Sequence, residues 1–282
     1  MMINLTDTQR GFTLVESIMV IVITGIIAAV VAVFIRTPVQ AYFDGAARAE
    51  LADVADTALR RMARDLRLAL PNSVRVDGTG SYIELLLTRD GGRYLAEEDN
   101  PTGANPQVLD FNDITRMTFE VVGPMPVPAI TQGDYIVVYN LGPSQAPADA
   151  YDCSGQCNRA QVASAPVGNS VTLTANPFAA QTSAMRSPSR RFQVVTTPVT
   201  YGCAGGKLTR YWNYTISPAQ PTPPSGSSLQ TAVLANNVSC AFAYNNQANT
   251  RAGLIALALT ITGSGEAGTV RLFQQVHVDN TP

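Results

Sequence analysis

A single carboxylate, Glu16, lies near the start of an otherwise uncharged apolar run from Phe12 to Ile35. At about 1.5 Å per residue, a helix over this run would be about 36 Å long, enough to cross the hydrocarbon layer of a membrane. A carboxylate inside such a span is costly unless it meets a partner, so an intramembrane acid is a functional hypothesis by default. The sequence therefore predicts a transmembrane helix, 12–35, in which Glu16 does more than anchor the chain.

The residues around the start of this run do not form an ordinary secretory signal. Such a signal has an apolar core of about 7–15 residues followed by a small-residue cleavage site. Here the one plausible processing position, Gly11, precedes the apolar run, and the run is longer. We therefore expect the hydrophobic helix to remain in the mature protein. The polar segment Met1 to Arg10 contains one arginine, which favours a cytoplasmic N-terminus.

Composition limits the function of the remaining chain. The 282 residues are 46% hydrophobic and 14% charged, enough for one large domain or two small ones behind the anchor. A formal net charge of −2 gives no electrostatic footprint for nucleic acid. The abundance of glycine (21) and proline (18) favours an extracytoplasmic domain of strands and loops over a helical cytosolic enzyme.

An amphipathic continuation of the helix is predicted over 36–70. Pro38 should kink or loosen the helix, and Leu70-Pro71 should end it. Charged pairs at a spacing of four residues, Asp56/Arg60 and Arg61/Asp65, are expected on its surface. Its apolar positions should pack on the following domain, although a groove for a partner helix is the alternative. These positions are Leu51, Val54, Ala55, Ala58, Leu59, Met62, Leu66 and Leu70.

Short apolar or alternating segments, bounded by Gly, Pro, Asn or Asp, predict strands throughout 71–282. Arg89-Asp90-Gly91-Gly92 should turn a hairpin, and a proline-rich loop should separate strands at 217–228. The predicted fold class is α+β, a long N-terminal helix packed on a large antiparallel β-sheet domain. Strands are predicted at 82–87, 108–111, 117–122, 135–139, 171–173, 192–195, 199–201, 208–212, 254–262 and 269–278.

Candidate catalytic and ligand motifs have simpler structural interpretations. Gly263 to Gly268 matches G-x-G-x-x-G, but an alternating strand follows it where a dinucleotide site needs a helix, so we expect a hairpin turn. The single histidine, His277, excludes multi-histidine metal sites and most histidine-dependent catalysis. Glu97 to Asn100 lacks EF-hand spacing and should be a solvated loop. We expect no cofactor, no metal site and no enzymatic activity.

The four cysteines favour disulfides, because an oxidising compartment is expected beyond a membrane segment. Cys153 and Cys157 could suggest a metal knuckle, but no second pair of matching spacing exists. Cys203 follows a strand and Cys240 precedes another, so a bridge between them could join neighbouring strands. We favour Cys153–Cys157 and Cys203–Cys240, while the sequence leaves three connectivities open.

The segment Gly11-Phe12-Thr13-Leu14-Val15-Glu16 resembles the class III prepilin signature of type IV pilins and type II secretion pseudopilins. The resemblance implies that a prepilin peptidase removes a leader, 1–11, and that the new terminal Phe12 is N-methylated. It also implies that Glu16 pairs with a terminal amine during filament assembly. A buried carboxylate is tolerable beside a buried ammonium, and neither is tolerable alone. The alternative is a plain anchor with an incidental glutamate.

The same resemblance implies where the protein acts. It would be a single-pass inner-membrane protein with a periplasmic C-terminal domain, and would later join a pilus. Its partners would be other minor and major pilins, the prepilin peptidase and the inner-membrane assembly platform.

The length and the strand-rich region are similar to the branch of minor pilins and pseudopilins that contains PilW and GspJ. Leu208–Trp212 and Val270–Pro282 resemble segments of a biogenesis protein of the mannose-sensitive haemagglutinin (MSHA) pilus. We expect a minor pilin-like subunit that helps to initiate or cap filament assembly. One alternative is a minor pseudopilin at the tip of a type II secretion pseudopilus. Another is a tip adhesin that binds surface glycans through loops around Tyr211, Trp212 and Tyr214.

Overall fold

A computed structural model describes residues 11–100, 103, 105, 107–249, 251–263 and 268–282. One long helix, α1, runs from Leu14 to Arg67 and continues through Pro38. It begins at Thr13, whose hydroxyl oxygen accepts a hydrogen bond from the backbone N–H of Glu16 at 3.3 Å. This hydroxyl satisfies one of the backbone donors that a helix start leaves without a partner.

The helix ends three residues before the predicted Leu70, because the following backbone already joins the sheet. The carbonyl oxygen of Leu68 accepts the N–H of Thr88 at 2.9 Å. Ala69 forms a bridge with Leu87, and the N–H of Leu70 donates to the oxygen of Leu86 at 2.8 Å. Sheet hydrogen bonds therefore replace the helical ones before Pro71 is reached.

Two antiparallel sheets follow the helix in the described residues. The larger sheet has the order β5-β4-β7-β2-β3-β6, with β1 beside β2, and with β8 between β7 and β9. The smaller sheet has the order β10-β11-β12. The nine strands of the larger sheet are β1 (Arg75–Val76), β2 (Tyr82–Tyr94), β3 (Thr118–Val122), β4 (Tyr135–Val137), β5 (Arg159–Gln161), β6 (Ser170–Thr172), β7 (Arg191–Ala204), β8 (Lys207–Trp212) and β9 (Gln230–Asn236). The smaller sheet contains β10 (Val238–Asn249), β11 (Ala252–Thr262) and β12 (Thr269–Asp279).

The C-terminal half of α1 packs against β12, β11 and β9. The predicted apolar stripe forms this contact, except for Val54, whose side chain is exposed, and Leu70, which lies beyond the helix and packs in another hydrophobic cluster. A separate hydrophobic cluster lies farther from the helix, around Phe119, Phe178 and Phe192. The α+β class with a long helix packed on antiparallel sheets is therefore confirmed. The buried stripe residues are Ala55, Ala58, Leu59, Met62, Leu66 and Leu70, and Leu51 is partly buried.

The predicted hairpin at Arg89-Asp90-Gly91-Gly92 is wrong. β2 continues through these residues and pairs with β7, with Gly92 opposite Phe192 and a register irregularity after Thr88. A Cβ atom added at Gly92 would lie 2.7 Å from the Phe192 ring. The glycine therefore allows the strand to pass close to this ring, a role of strand glycines that is distinct from turning.

The predicted strand at Val108–Phe111 is also absent, because Asp110 organises a turn there. Its carboxylate accepts the backbone N–H groups of Asn112 at 2.8 Å and Asp113 at 2.9 Å. Aspartate favours such local hydrogen bonds over a strand.

The remaining predicted strands correspond to observed ones, although 192–195 and 199–201 belong to the single strand β7. The predicted loop at 217–228 contains no strand. β11 and β12 form a hairpin, with Thr262 opposite Thr269, and residues 264–267 of its predicted turn lie outside the described residues. The predicted strand ranges did not include β1, β5, β9 or β10, although Cys240 was expected to precede a strand.

Candidate functional site: the N-terminal helix

The N-terminal half of α1 is apolar and contacts nothing else in the described protein. Its most apolar window has a mean hydropathy of 3.2, and none of that window is buried. By length and composition the helix can cross a membrane, although a signal sequence passes the same criterion. An apolar surface of this extent is unfavourable in water, so lipid or other helices must cover it.

Glu16 lies in the first turn of this apolar helix, and its side chain is exposed. The positive end of the helix dipole favours a carboxylate in this turn. Among the ion pairs of the described residues, none involves Glu16. The carboxylate is thus available to a cation from outside the described part of the chain.

Gly11 and Phe12 precede the helix and are accessible. A Cβ atom added at Gly11 would meet nothing within 4 Å, and 76% of Phe12 is exposed. Both residues lie in extended backbone before the cap residue Thr13. A peptidase needs such an exposed, non-helical segment around its cleavage site. The rest of the predicted leader, residues 1–10, lies outside the described residues.

A buried charged cluster joins the other end of the helix to the larger sheet. The Asp65 carboxylate accepts the Nε–H of Arg210 at 2.8 Å and the Tyr201 hydroxyl at 2.7 Å. Burial, followed by the nearby Asp65 charge, raises the pKa of Tyr201. We call Asp65, Tyr201 and Arg210 the Asp65 cluster. Charge-assisted hydrogen bonds of this kind fix the geometry of the groups that they join.

The expected pair of Arg61 with Asp65 does form, but only its Arg61 side lies on the surface. Asp65 is buried, and its nearest approach to Arg61 is 3.8 Å. The expected pair of Asp56 with Arg60 does form on the surface, at 2.7 Å. Spacing on the helix identified the neighbours but could not show that a strand arginine lies closer to Asp65.

A second buried cluster lies directly after the helix. The Glu84 carboxylate accepts the Nε–H of Arg75 at 2.6 Å and the Tyr214 hydroxyl at 2.9 Å. Burial raises the pKa of Glu84, although the charge of Arg75 acts in the opposite direction. The Thr200 and Tyr214 hydroxyl oxygens are 2.6 Å apart. We call Arg75, Glu84 and Tyr214 the Glu84 cluster.

The Glu84 cluster changes the interpretation of the expected aromatic surface. Tyr214 is buried, and its hydroxyl is hydrogen-bonded inside the domain, so it is not available to a glycan. Tyr211 and Trp212 remain partly exposed on β8. The sequence did carry a signal for Glu84, since an acid lies between Ile83 and Leu85 in an apolar strand, but it did not identify the partners.

The structure contains the disulfides Cys153–Cys157 and Cys203–Cys240, which are the two pairs that the sequence favours. Cys203 lies on β7 and Cys240 on β10, so the second bridge joins the two sheets. The described residues contain no group of three or more His, Cys, Asp or Glu side chains that could hold a metal ion.

Other candidate residues lie far from the helix in sequence. Glu97 to Asp99 form a short 3-10 helix rather than an unstructured loop. Arg93 and Arg190 pair with Asp99, and Arg186 pairs with Glu98. His277 is exposed on β12.

Comparison with known families finds the prokaryotic N-terminal methylation motif at residues 7–32. The chain thus carries the N-terminal methylation motif of type IV pilin-like proteins, and the match includes Gly11, Phe12 and Glu16. Neither the curated proteins nor the solved structures give a match. The motif therefore points to a structural, pilin-like or pseudopilin-like protein that assembles with other pilins at a membrane.

Proposed function

We propose that this protein is a minor pilin-like structural subunit that helps to initiate or cap assembly of a type IV pilus of the MSHA type. One observation carries the proposal. The N-terminal methylation motif is continuous with an unburied apolar helix whose first turn contains a single exposed carboxylate. A plain membrane anchor needs neither the motif nor the acid, whereas assembly through the helix needs both.

Assembly would begin with removal of the leader 1–11 after Gly11 and N-methylation of Phe12. The segment 12–35 would span the inner membrane with its N-terminus in the cytoplasm, 36–70 would continue the helix, and 71–282 would be the periplasmic domain. Glu16 would then select the Phe12 ammonium of a neighbouring subunit. In a water-poor environment each charge needs the other, so the pair favours correct helix placement.

The MSHA assignment rests on the resemblance of Leu208–Trp212 and Val270–Pro282 to MshO, a minor-pilin-like biogenesis protein of that pilus. In the structure these segments lie in β8 and β12. β12 packs on α1, and β8 carries Arg210 of the Asp65 cluster. The resemblance thus includes strands that position the helix.

A minor pseudopilin at the tip of a type II secretion pseudopilus is the second candidate. The specific observation in its favour is the methylation motif itself, because the prepilin signature is common to pilins and pseudopilins. Co-purification decides between the two: pilus subunits support the first candidate, and pseudopilus subunits support the second.

Mass spectrometry of the mature protein tests the processing. We expect an N-methylated Phe12 terminus, and a chain that retains Met1 would contradict the proposal.

Replacement of Glu16 tests assembly. Glu16→Ala should leave insertion and cleavage intact and reduce incorporation into filaments by about tenfold or more, because a partner ammonium loses its counter-charge. Ser17→Ala, in the same exposed turn, should incorporate normally. Equal incorporation of both variants would refute the role of Glu16.

A further inference from the structure

The outward face of α1, beyond the apolar span, carries two blocks of opposite charge. The acidic block, 44–56, contains four carboxylates and one arginine, and the basic block, 57–67, contains four arginines and one carboxylate. That carboxylate, Asp65, is buried in the Asp65 cluster, whereas the arginines are exposed. The acidic residues are Asp44, Glu50, Asp53 and Asp56, and the basic ones are Arg60, Arg61, Arg64 and Arg67.

The stability of the isolated helix explains only part of this separation of charge. Glu50 and Asp53 are three residues apart, as are Arg61 and Arg64, and like charges at this spacing repel each other. The helix dipole favours Arg64 and Arg67 in the last turn, but it acts only within the first and last turns and does not favour carboxylates in the middle of α1. Asp56 and Arg60 pair within the chain across the boundary between the blocks, whereas the like charges inside each block become favourable against a complementary surface.

The basic block borders a groove between α1 and β9. The groove has a volume of 360 Å³, and Ala58 and Leu234 give it an apolar floor beneath arginine side chains. A helix that enters this groove would therefore meet apolar contacts below and positive charge at the rim. The lining residues are Thr57, Ala58, Arg60, Arg61, Arg64 and Leu234.

We propose that a second copy of this chain places its acidic block against the basic block and groove of the first. Both members of the complementary pair lie on this chain, and the acidic block also offers the exposed apolar side chain of Val54. The proposal rests on the proposed function, because the two helices must be parallel and anchored in one membrane. The second copy is displaced toward the C-terminal end of the first helix.

The displacement of the second copy along the first helix has the same direction as the displacement that the proposed Glu16 pair requires. Phe12 of the second copy reaches the level of Glu16 in the first after a shift of four residues, or about 6 Å. Asp53 of the second copy reaches the level of Arg60 after seven residues, or about 10 Å, in the same direction. A long, flexible arginine side chain can cover the difference of about 4 Å. One stagger therefore satisfies both contacts.

Photocrosslinking of the full-length chain in its membrane tests the pairing. A photoreactive residue replaces Thr57, which is exposed between the blocks, and we expect a product of twice the mass of the chain. Arg60→Glu/Arg64→Glu should reduce this product by about fivefold, as should Glu50→Arg/Asp53→Arg, because attraction becomes repulsion. The combined variant should restore it. Lys207→Glu/Arg191→Glu, a matched reversal on exposed β-strand residues, should have no effect.

Each other outcome overturns the pairing. Absence of the product from the native chain, or its persistence in both reversed variants, would show that the blocks do not bind each other. Loss in both variants without restoration in the combined one would show that the two blocks do not contact each other between the copies. Protection from protease, measured for every variant, separates these results from misfolding.

The proposed function fails by a separate measurement, namely absence of the native chain from pilus filaments and from co-purified pilus subunits. If Glu16→Ala blocks incorporation while charge reversal leaves the crosslink intact, the function stands and the pairing falls. If the crosslink responds to charge as expected while the native chain neither enters filaments nor co-purifies with pilus subunits, the pairing stands and the proposed function falls.

Discussion

Asp65 and Glu84 are buried carboxylates on either side of the point where the helix passes into the sheet. Each is bonded to an arginine and to a tyrosine hydroxyl. Because a buried charge without its partner is strongly unfavourable, each cluster requires its members to be together. The Asp65 cluster therefore holds the end of α1 to β7 and β8, and the Glu84 cluster holds β1 and β2 to the segment that follows β8.

Asp65→Asn should lower the free energy of unfolding by about 3–5 kcal/mol, because it leaves the Arg210 charge buried without a carboxylate. The measurement is chemical denaturation of the detergent-solubilised chain. Asp56→Asn is the matched control, since its partner Arg60 is exposed and an exposed helical pair contributes only about 0.3–0.5 kcal/mol. Equal losses in both variants would show that the Asp65 cluster does not hold the helix.

Glu84 should make stability depend on pH in the direction opposite to most carboxylates. Its pKa is raised in the folded protein by burial, so the folded state binds a proton more readily than the unfolded state. Its contribution is therefore complete below the ordinary value of 4.5 and declines as the pH rises from there toward the raised pKa.

The contribution of Glu84 to the pH dependence of stability is isolated by comparison with Glu84→Gln, because glutamine does not titrate. Several exposed acids, including Asp99 and Asp113, have lowered pKa values and act in the opposite sense in both proteins. As the pH rises above 4.5, the free energy of unfolding of the native chain should fall relative to that of Glu84→Gln. A rise in the free energy of unfolding of the native chain relative to the variant would contradict the raised pKa of Glu84.

At the scale of elements, replacement of a glycine by alanine should have opposite effects on stability in α1 and in β2. Gly92→Ala should destabilise the protein by about 1–3 kcal/mol, because the added Cβ atom would lie 2.7 Å from the Phe192 ring. Gly45→Ala, in the exposed part of α1, meets nothing within 4 Å and should stabilise the helix by about 0.5–1 kcal/mol. Thermal unfolding measures both, and a neutral Gly92→Ala would contradict the close approach of the Phe192 ring.

These elements show how far the sequence predicts the fold. The apolar span and stripe identify α1, since helical periodicity is local and repeats over many turns. The strand role of Gly91 and Gly92 was missed, because the same glycine pair suits a turn and a close strand crossing. Strand β9 was missed because its place depends on pairing with β8 rather than on its own pattern.

The residues of the candidate site also differ in whether the sequence alone predicts them. Gly11, Phe12 and Glu16 are recognisable because their meaning lies in contiguous sequence. The Asp65 cluster is not, because Arg210 lies 145 residues farther along the chain and meets Asp65 only after the sheet forms. Spacing on one helix identifies neighbours on that helix, but it does not show whether a residue of a distant strand is a closer partner.

At the scale of the whole molecule, the bridge Cys203–Cys240 joins the sheet that contains Arg210 to the sheet that packs beneath α1. The helix therefore contacts both of the sheets that this bridge connects. It closes a loop with a sequence separation of 37, against 4 for Cys153–Cys157. In the chain-entropy model, these loops correspond to about 4 and about 2 kcal/mol of stabilisation.

Cys203→Ala/Cys240→Ala should therefore lower the unfolding free energy by about twice as much as Cys153→Ala/Cys157→Ala. The first variant should also expose helix residues near Met62 to protease, because the sheets that enclose them lose their covalent link. The second should leave that region protected, since its loop lies outside the helix contact. Denaturation with limited proteolysis tests both effects, and equal losses with equal protection would show that the bridge between the sheets does not support the helix.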